Sequence, residues 1–170
     1  ATLVSGSAEQ FDTDGAWTGV FYYRPPSSML EGTARDVVVS HAFTWGISII
    51  ANAIELKGVH ATTPFGTSVT EQNSNCVNVG TGTDPVVQGF TPSVGLFTYD
   101  VAATRFNATI TPKAILGHTQ ILSTNQRSSD PVLWGAFGYH NPYTSTSSLD
   151  IGWDLTDCWN SAHSIVRVNP

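Results

Sequence analysis

The sequence predicts an all-β chain: a single antiparallel β-sandwich or jelly roll, or a closed β-barrel, of about 8–10 strands with little or no helix. Three observations carry this expectation. Large apolar residues recur with a period of two, the repeat of a strand rather than of a helix. Stretches rich in Gly, Pro, Ser, Thr and Asn punctuate the chain. Charged residues make up only 12% of the chain and hydrophobic residues 41%. Because about 25% charge is usual in a soluble domain, Ser, Thr, Asn and Gly stand where charge is missing. This is not the composition of a disordered chain, which combines high charge with low hydrophobicity.

At 170 residues the chain fits one domain, residues 1–170, large enough to bury roughly 70% of the surface of its unfolded form. In chain order, Trp17, Gly19, Phe21 and Tyr23 alternate with Thr18, Val20, Tyr22 and Arg24, and Pro25-Pro26 ends that strand. The longest alternation runs from Asp36 to Ile50. It places Val37, Val39, His41, Phe43, Trp45, Ile47 and Ile49 on one face, with a bend or bulge expected at Gly46. A long polar loop is expected from Thr62 to Pro85. Further strands are expected over Thr104 to Ile110, Ile115 to Leu122, Val132 to His140, Leu149 to Leu155 and Ser164 to Val168. Trp17, Trp45 and Trp153 fall on apolar faces and are expected in the core.

Charge excludes one class of partner. The net charge is −6, and Lys57 and Lys113 are the only lysines, whereas nucleic-acid binding relies on clustered Lys and Arg. No apolar run reaches the ~18 residues of a membrane-spanning helix. The chain starts at Ala1, as after removal of a signal peptide or excision from a longer protein. Cys76 and Cys158 are expected to pair, which fits a secreted or extracellular surface setting. That bridge would close a loop of about 80 residues and contribute roughly 4 kcal/mol in a chain-entropy model. Asn107-Ala108-Thr109 is a glycosylation triplet, with Asn107 as acceptor.

Catalytic and metal signatures are sparse. Asp12-Thr13-Asp14-Gly15 offers oxygen ligands, but it lacks the rest of a calcium loop and is expected to be a hairpin turn. The histidines, His41, His60, His118, His140 and His163, show no zinc-ligand spacing. His41, on the apolar face of the longest strand, is either an acid/base residue in a cavity or a core residue bonded to a carbonyl. Asp150 and Asp154, with Asp157 beyond them, are paired acids on a polar strand face and are expected to be solvated. There is no Gly-x-Ser-x-Gly and no phosphate loop, so enzymatic activity stays open, and no cofactor or metal is expected.

Tyr139-His140-Asn141-Pro142-Tyr143 places aromatic and amide groups where a strand gives way to a loop. Sugars lay their C–H faces on such rings while amides take their hydroxyls. Tyr22 and Arg24 face away from Trp17 and could extend the surface. The alternative is a rigid loop with two half-buried tyrosines.

Gly15-Ala16-Trp17 near the start, with a late cysteine able to pair with one in the middle, is similar to the lipocalin pattern. That resemblance implies an eight-stranded cup for small apolar ligands. The family's Thr-Asp-Tyr stands here as Thr98-Tyr99-Asp100, and no helical pattern follows over Arg127 to Ser161.

The leading expectation is a non-catalytic, secreted or surface-displayed domain that binds carbohydrate in the manner of a lectin. Its site would be Tyr139, His140, Asn141 and Tyr143 with Tyr22 and Arg24. The partner would be a glycan or small-molecule ligand, with homo-oligomerisation possible. Three alternatives stand beside it. One is a lipocalin-like barrel with an open interior lined by Val39, Phe43 and Trp45. Another is a small β-barrel enzyme using a buried His41. The last is a structural, capsid-type or adhesin-type assembly domain.

Overall fold

The computed structural model describes residues 1–10, 17–25, 37–39, 49–73, 86–105, 110–112, 118–126, 133–155 and 161–170. Among these residues there is no helix, and twelve strands are formed. They are β1 (Thr2–Leu3), β2 (Glu9–Gln10), β3 (Trp17–Thr18), β4 (Phe21–Tyr22), β5 (Val69–Asn73), β6 (Val86–Phe90), β7 (Phe97–Arg105), β8 (Ile110–Pro112), β9 (His118–Gln126), β10 (Leu133–His140), β11 (Leu149–Leu155) and β12 (Ser161–Val168). The main sheet has the order β5-β12-β7-β10-β9, and a second has the order β6-β11-β8. Two ribbons, β1-β4 and β2-β3, complete the set. All pairings are antiparallel.

The fold is an all-β sandwich, as the composition and the period-two pattern predict. Side chains alternate along β7, so each of its faces meets a different layer. Thr98, Asp100, Ala102 and Thr104 face the second sheet. There Ile151, Trp153 and Leu155 of β11 pack with Ile110, Ala102, Ala136, Phe90, Tyr143 and Ile165 in two adjoining apolar clusters. Tyr99 and Val101 face the other way, with Phe137 and the half-buried Tyr139, against Val20 and Ile50. Covered on both sides, β7 and β12 are buried along almost their whole described length.

Strand order in the main sheet departs from sequence order, and the space between the sheets is filled by side chains. Stacked open sheets with a filled interior differ from the up-and-down cup that the lipocalin resemblance implies. Of that resemblance's motif, Gly15 lies outside the described residues and Trp17 is 48% exposed. Trp17 is therefore not a core residue: it leans on Phe21 at the surface, with ring centroids 6.2 Å apart. Of the residues expected to line an open interior, Val39 is exposed and Phe43 and Trp45 lie outside the described residues.

Several expected elements are revised. The region from Thr62 to Pro85 is not one long loop, because Val69–Asn73 forms β5 and pairs with β12 at the edge of the main sheet. Of the strand expected over Thr104 to Ile110, Thr104 and Arg105 end β7, which starts at Phe97, Ile110 starts β8, and residues 106–109 lie outside the described set. Most of the alternation from Asp36 to Ile50 also lies outside it. Its described ends, Val37–Val39 and Ile49–Ile50, are not strands. The expected strand over Leu149 to Leu155 is present, with Ile151, Trp153 and Leu155 buried and Asp150 and Asp154 exposed.

Candidate functional site

The least ordinary chemistry lies between the sheets, where Asp100 stands at the middle of β7. Its neighbours in register are Gly138 on β10 and Ile165 on β12. Oδ2 accepts a hydrogen bond from the Trp153 indole N–H at 2.7 Å and meets His163 Nε2 at 3.2 Å. Oδ1 meets His118 Nε2 at 3.1 Å. Aspartate, histidines and indole are all sealed from solvent. Burial alone pushes the Asp100 carboxyl up, but hydrogen bonds from His118 and His163, with their charge, outweigh it. They hold the group well below the usual carboxylate range.

Two local features of the backbone make this cluster. Between Phe137 and Gly138 the β10–β9 register slips, so Leu122 pairs with Phe137, Gln120 with Gly138, and Ile121 is the extra residue. A bulge of this kind reverses which residues face which side. Without it Thr119 would point between the sheets; with it His118 does. Gly138 then leaves the necessary room. A Cβ there would lie 2.8 Å from His118 Nε2, 2.9 Å from Asp100 Oδ1 and 3.0 Å from Trp153 Cζ2.

A carboxylate orienting a histidine is two-thirds of a nucleophilic triad. Among the described residues the third part is absent. With each Nε2 directed at Asp100, a nucleophile would have to stand on Nδ1, and neither His118 Nδ1 nor His163 Nδ1 meets a protein partner. The cluster joins β7, β9 and β12 of the main sheet to β11 of the second sheet. Among the described residues no group of His, Cys, Asp and Glu is arranged to hold a metal ion.

The candidate sugar-binding residues do not share one surface. His140 and Tyr143 are 7% and 4% exposed and stack on each other, with centroids 3.9 Å apart and planes 4° from parallel. Tyr143 Oη bonds Thr98 Oγ1 at 3.0 Å, and His140 Nδ1 donates to the Asn141 carbonyl at 2.7 Å. Burial pushes the Tyr143 hydroxyl up to about 12. Tyr139 points to the opposite face of the sheet and stacks on Phe97 at 5.7 Å, while Asn141 is exposed. Of these four, only Tyr139 and Asn141 retain access to solvent.

Tyr22 and Arg24 line a separate half-open cleft of about 430 Å³ with Tyr23, Thr62 and Pro64, and none of residues 139–143 contributes to it. Tyr22 is held from behind by Phe65 at 5.0 Å. Tyr23 is 61% exposed. The Arg24 guanidinium donates through Nη1 to the Ala61 carbonyl. That carbonyl belongs to a braced turn. His60 Nδ1 accepts from the Thr63 N–H at 3.1 Å, and Asn169 Nδ2 donates to the Thr63 carbonyl at 2.7 Å.

No family model and no curated protein matches the chain. A chain of the tripod from the baseplate of bacteriophage Tuc2009 is similar in structure, with a TM-score of 0.38 over 85% of each chain at 10% identity. That likeness is too remote to assign a family or a function.

Cys76, Cys158, Asn107, His41 and Asp12 to Gly15 lie outside the described residues. Spacing rules pass over the Asp100 cluster, because its members come from strands far apart in sequence. One signal was present: Asp100 is the only charge inside Phe97 to Thr104, and a carboxylate buried in a strand needs partners.

Proposed function

We propose that this domain is a non-catalytic recognition module that binds carbohydrate at the cleft beside Arg24. The observation that carries this reading is the gathering of Tyr22, Tyr23 and Arg24 around one cleft, on a braced turn. Its volume falls within the roughly 300–1,000 Å³ range of small-ligand sites. The Tyr23 ring is open to stack on a sugar ring, and the Thr62 hydroxyl and the guanidinium can take sugar hydroxyls. Within this reading the domain works on an extracellular surface, stapled by Cys76 and Cys158 and glycosylated at Asn107. The cleft replaces the Tyr139–Tyr143 loop as the main contact surface, since two rings of that loop are spent on each other. A glycan array followed by titration calorimetry tests it. Binding that Tyr23→Ala weakens while the fold stays intact supports the reading, and absence of binding to every sugar class ends it.

A second reading, an assembly domain, is favoured by a different observation. Trp17 and Phe21 are 48% and 54% exposed and in ring contact, and Leu3, also exposed, pairs with Phe21 across the β1-β4 ribbon. Adjoining exposed apolar groups of this size often mark protein contacts. Sedimentation over a wide concentration range tests it. Self-association that Trp17→Ala or Phe21→Ala abolishes favours assembly, and a monomer at all concentrations removes it.

A further inference from the structure

We infer that the ligand of the Arg24 cleft carries a carboxylate, as acidic sugars do. This inference rests on the carbohydrate reading and adds the charge of the ligand to it.

Among the described residues that line the cleft Arg24 bears the one ionised side chain, and the walls otherwise consist of Ala1, Tyr22, Tyr23, Thr62, Pro64 and small residues. Among the described residues no acidic side chain lines it, although the protein is acidic, with net charge −6 and 13 Asp and Glu residues against 7 Lys and Arg. The guanidinium has five N–H donors in a fixed plane and accepts nothing. One of its ends is docked on the Ala61 carbonyl, which orients the plane without neutralising it. The other edge is left for a planar, two-oxygen anion, the group that a guanidinium fork binds with two parallel hydrogen bonds. Among the described residues Arg24 has no carboxylate partner within the protein.

The isolation of the charge also bears on specificity. A polybasic surface attracts every polyanion through its field, and that attraction fades with salt over about 8 Å at physiological ionic strength. A single arginine in an acidic chain produces no such field. An anion is held here only if it sits in the cleft, with its ring against Tyr23 and its hydroxyls near Thr62. Those demands are met together by a sugar acid and not by a phosphate-rich polymer.

The experiment compares paired probes on the full chain by titration calorimetry. Oligosaccharides ending in glucuronic acid or N-acetylneuraminic acid are each measured beside their methyl esters, which keep the ring and lose the charge. The acids are expected to bind at least about tenfold tighter than the esters. Arg24→Gln should remove that preference, Arg24→Lys should keep part of it, and Tyr23→Ala should weaken acid and ester alike. Esters binding as tightly as acids would overturn the carboxylate inference while the carbohydrate reading stands. Failure of both probe types and of all neutral sugars would overturn the two together. Circular dichroism of the Arg24 variants is expected to match the parent, because the side chain is exposed.

Discussion

The Trp153 indole donates a 2.7 Å hydrogen bond to Asp100 Oδ2, linking the second sheet to the central strand of the first at its midpoint. Replacing Asp100 with Asn keeps the size and removes the charge. The new amide would direct N–H groups toward donors already in place. Disrupting a buried charged network by altering one partner costs about 3–5 kcal/mol. Asp100→Asn is expected to lower the urea midpoint accordingly, or to prevent folding altogether. Trp153→Phe removes only the indole N–H and a little ring area, so a loss of about 1–3 kcal/mol is expected. A midpoint for Trp153→Phe equal to that of the parent would mean that the bond does not stabilise the sandwich.

The same carboxylate sets an acid limit. Its folded pKa lies below that of the unfolded chain, so unfolding takes up a proton at low pH. The stabilisation is complete above the ordinary Asp value of about 3.9 and is lost as pH falls from there toward the depressed folded value. Denaturant midpoints measured between about pH 6 and pH 2 are expected to fall in the acid part of that range. In Asp100→Asn, if it folds, the slope is expected to be shallower by the contribution of one group.

Gly138 supplies the space in which the cluster forms. Gly138→Ala would place a methyl group within 3.0 Å of three cluster atoms, and none is the end of a long flexible chain. Overpacking of this kind costs about 1–3 kcal/mol. His118→Ala removes one of the three obstacles, so the double variant Gly138→Ala/His118→Ala is expected to be more stable than the sum of the single effects allows. Strict additivity in thermal unfolding would show that the methyl does not press on His118.

These positions also show what was legible in the sequence. Leu149 to Leu155 has one buried and one solvated face, so its alternation marks both the strand and the burial of Trp153. The central strand β7 carries no such mark. Covered on both sides, it reads Phe-Thr-Tyr-Asp-Val-Ala-Ala-Thr, and its two faces look alike. The polar edge strand β5 has the composition of a loop, and its pairing with β12 is what identifies it. The bulge that aims His118 at Asp100 shifts the pattern by one residue, a change visible only once β9 and β10 are aligned. Trp17 shows the converse limit, because a period-two pattern gives a face but not which face meets the core. Of the candidate site, Tyr22 and Arg24 do share a cleft, whereas the stacking of His140 on Tyr143 depends on a fold-back that no spacing rule describes.

Two tyrosines set an alkaline limit. Burial raises both Tyr99 and Tyr143 from 10.0 to about 12. Between those two values each group stays protonated in the fold but ionises in the unfolded chain, which favours unfolding. Stability is therefore unaffected below about pH 10 and declines as pH rises from there toward 12. Following phenolate absorbance and circular dichroism together, ionisation of these two side chains is expected to coincide with loss of the fold. Tyr143→Phe keeps the stack on His140 and gives up the bond to Thr98. It is expected to shift the alkaline transition upward while lowering stability at neutral pH by about 1 kcal/mol.

A buried hydroxyl pair ties the N-terminal ribbons to the main sheet: Thr18 Oγ1 on β3 and Ser164 Oγ on β12 lie 2.6 Å apart, both sealed from solvent. Thr18→Val preserves shape and strips the hydroxyl, leaving Ser164 buried without that partner, at about 1–3 kcal/mol. Ser164→Ala leaves Thr18 in the same position. Removing both eliminates the stranded group, so the double variant is expected to be less destabilised than the two single losses added together. The double-mutant cycle should then return a coupling of about 0.5–3 kcal/mol. Trp17, next to Thr18 on the same strand, gives a local reading when its emission is taken as the difference between each protein and its Trp17→Phe counterpart. If the contact anchors the ribbon, Thr18→Val is expected to change Trp17 emission at denaturant concentrations too low to open the sandwich. Unchanged emission with zero coupling would place the anchoring elsewhere, on Val20 and Ile50 packed against Tyr99 and Phe137.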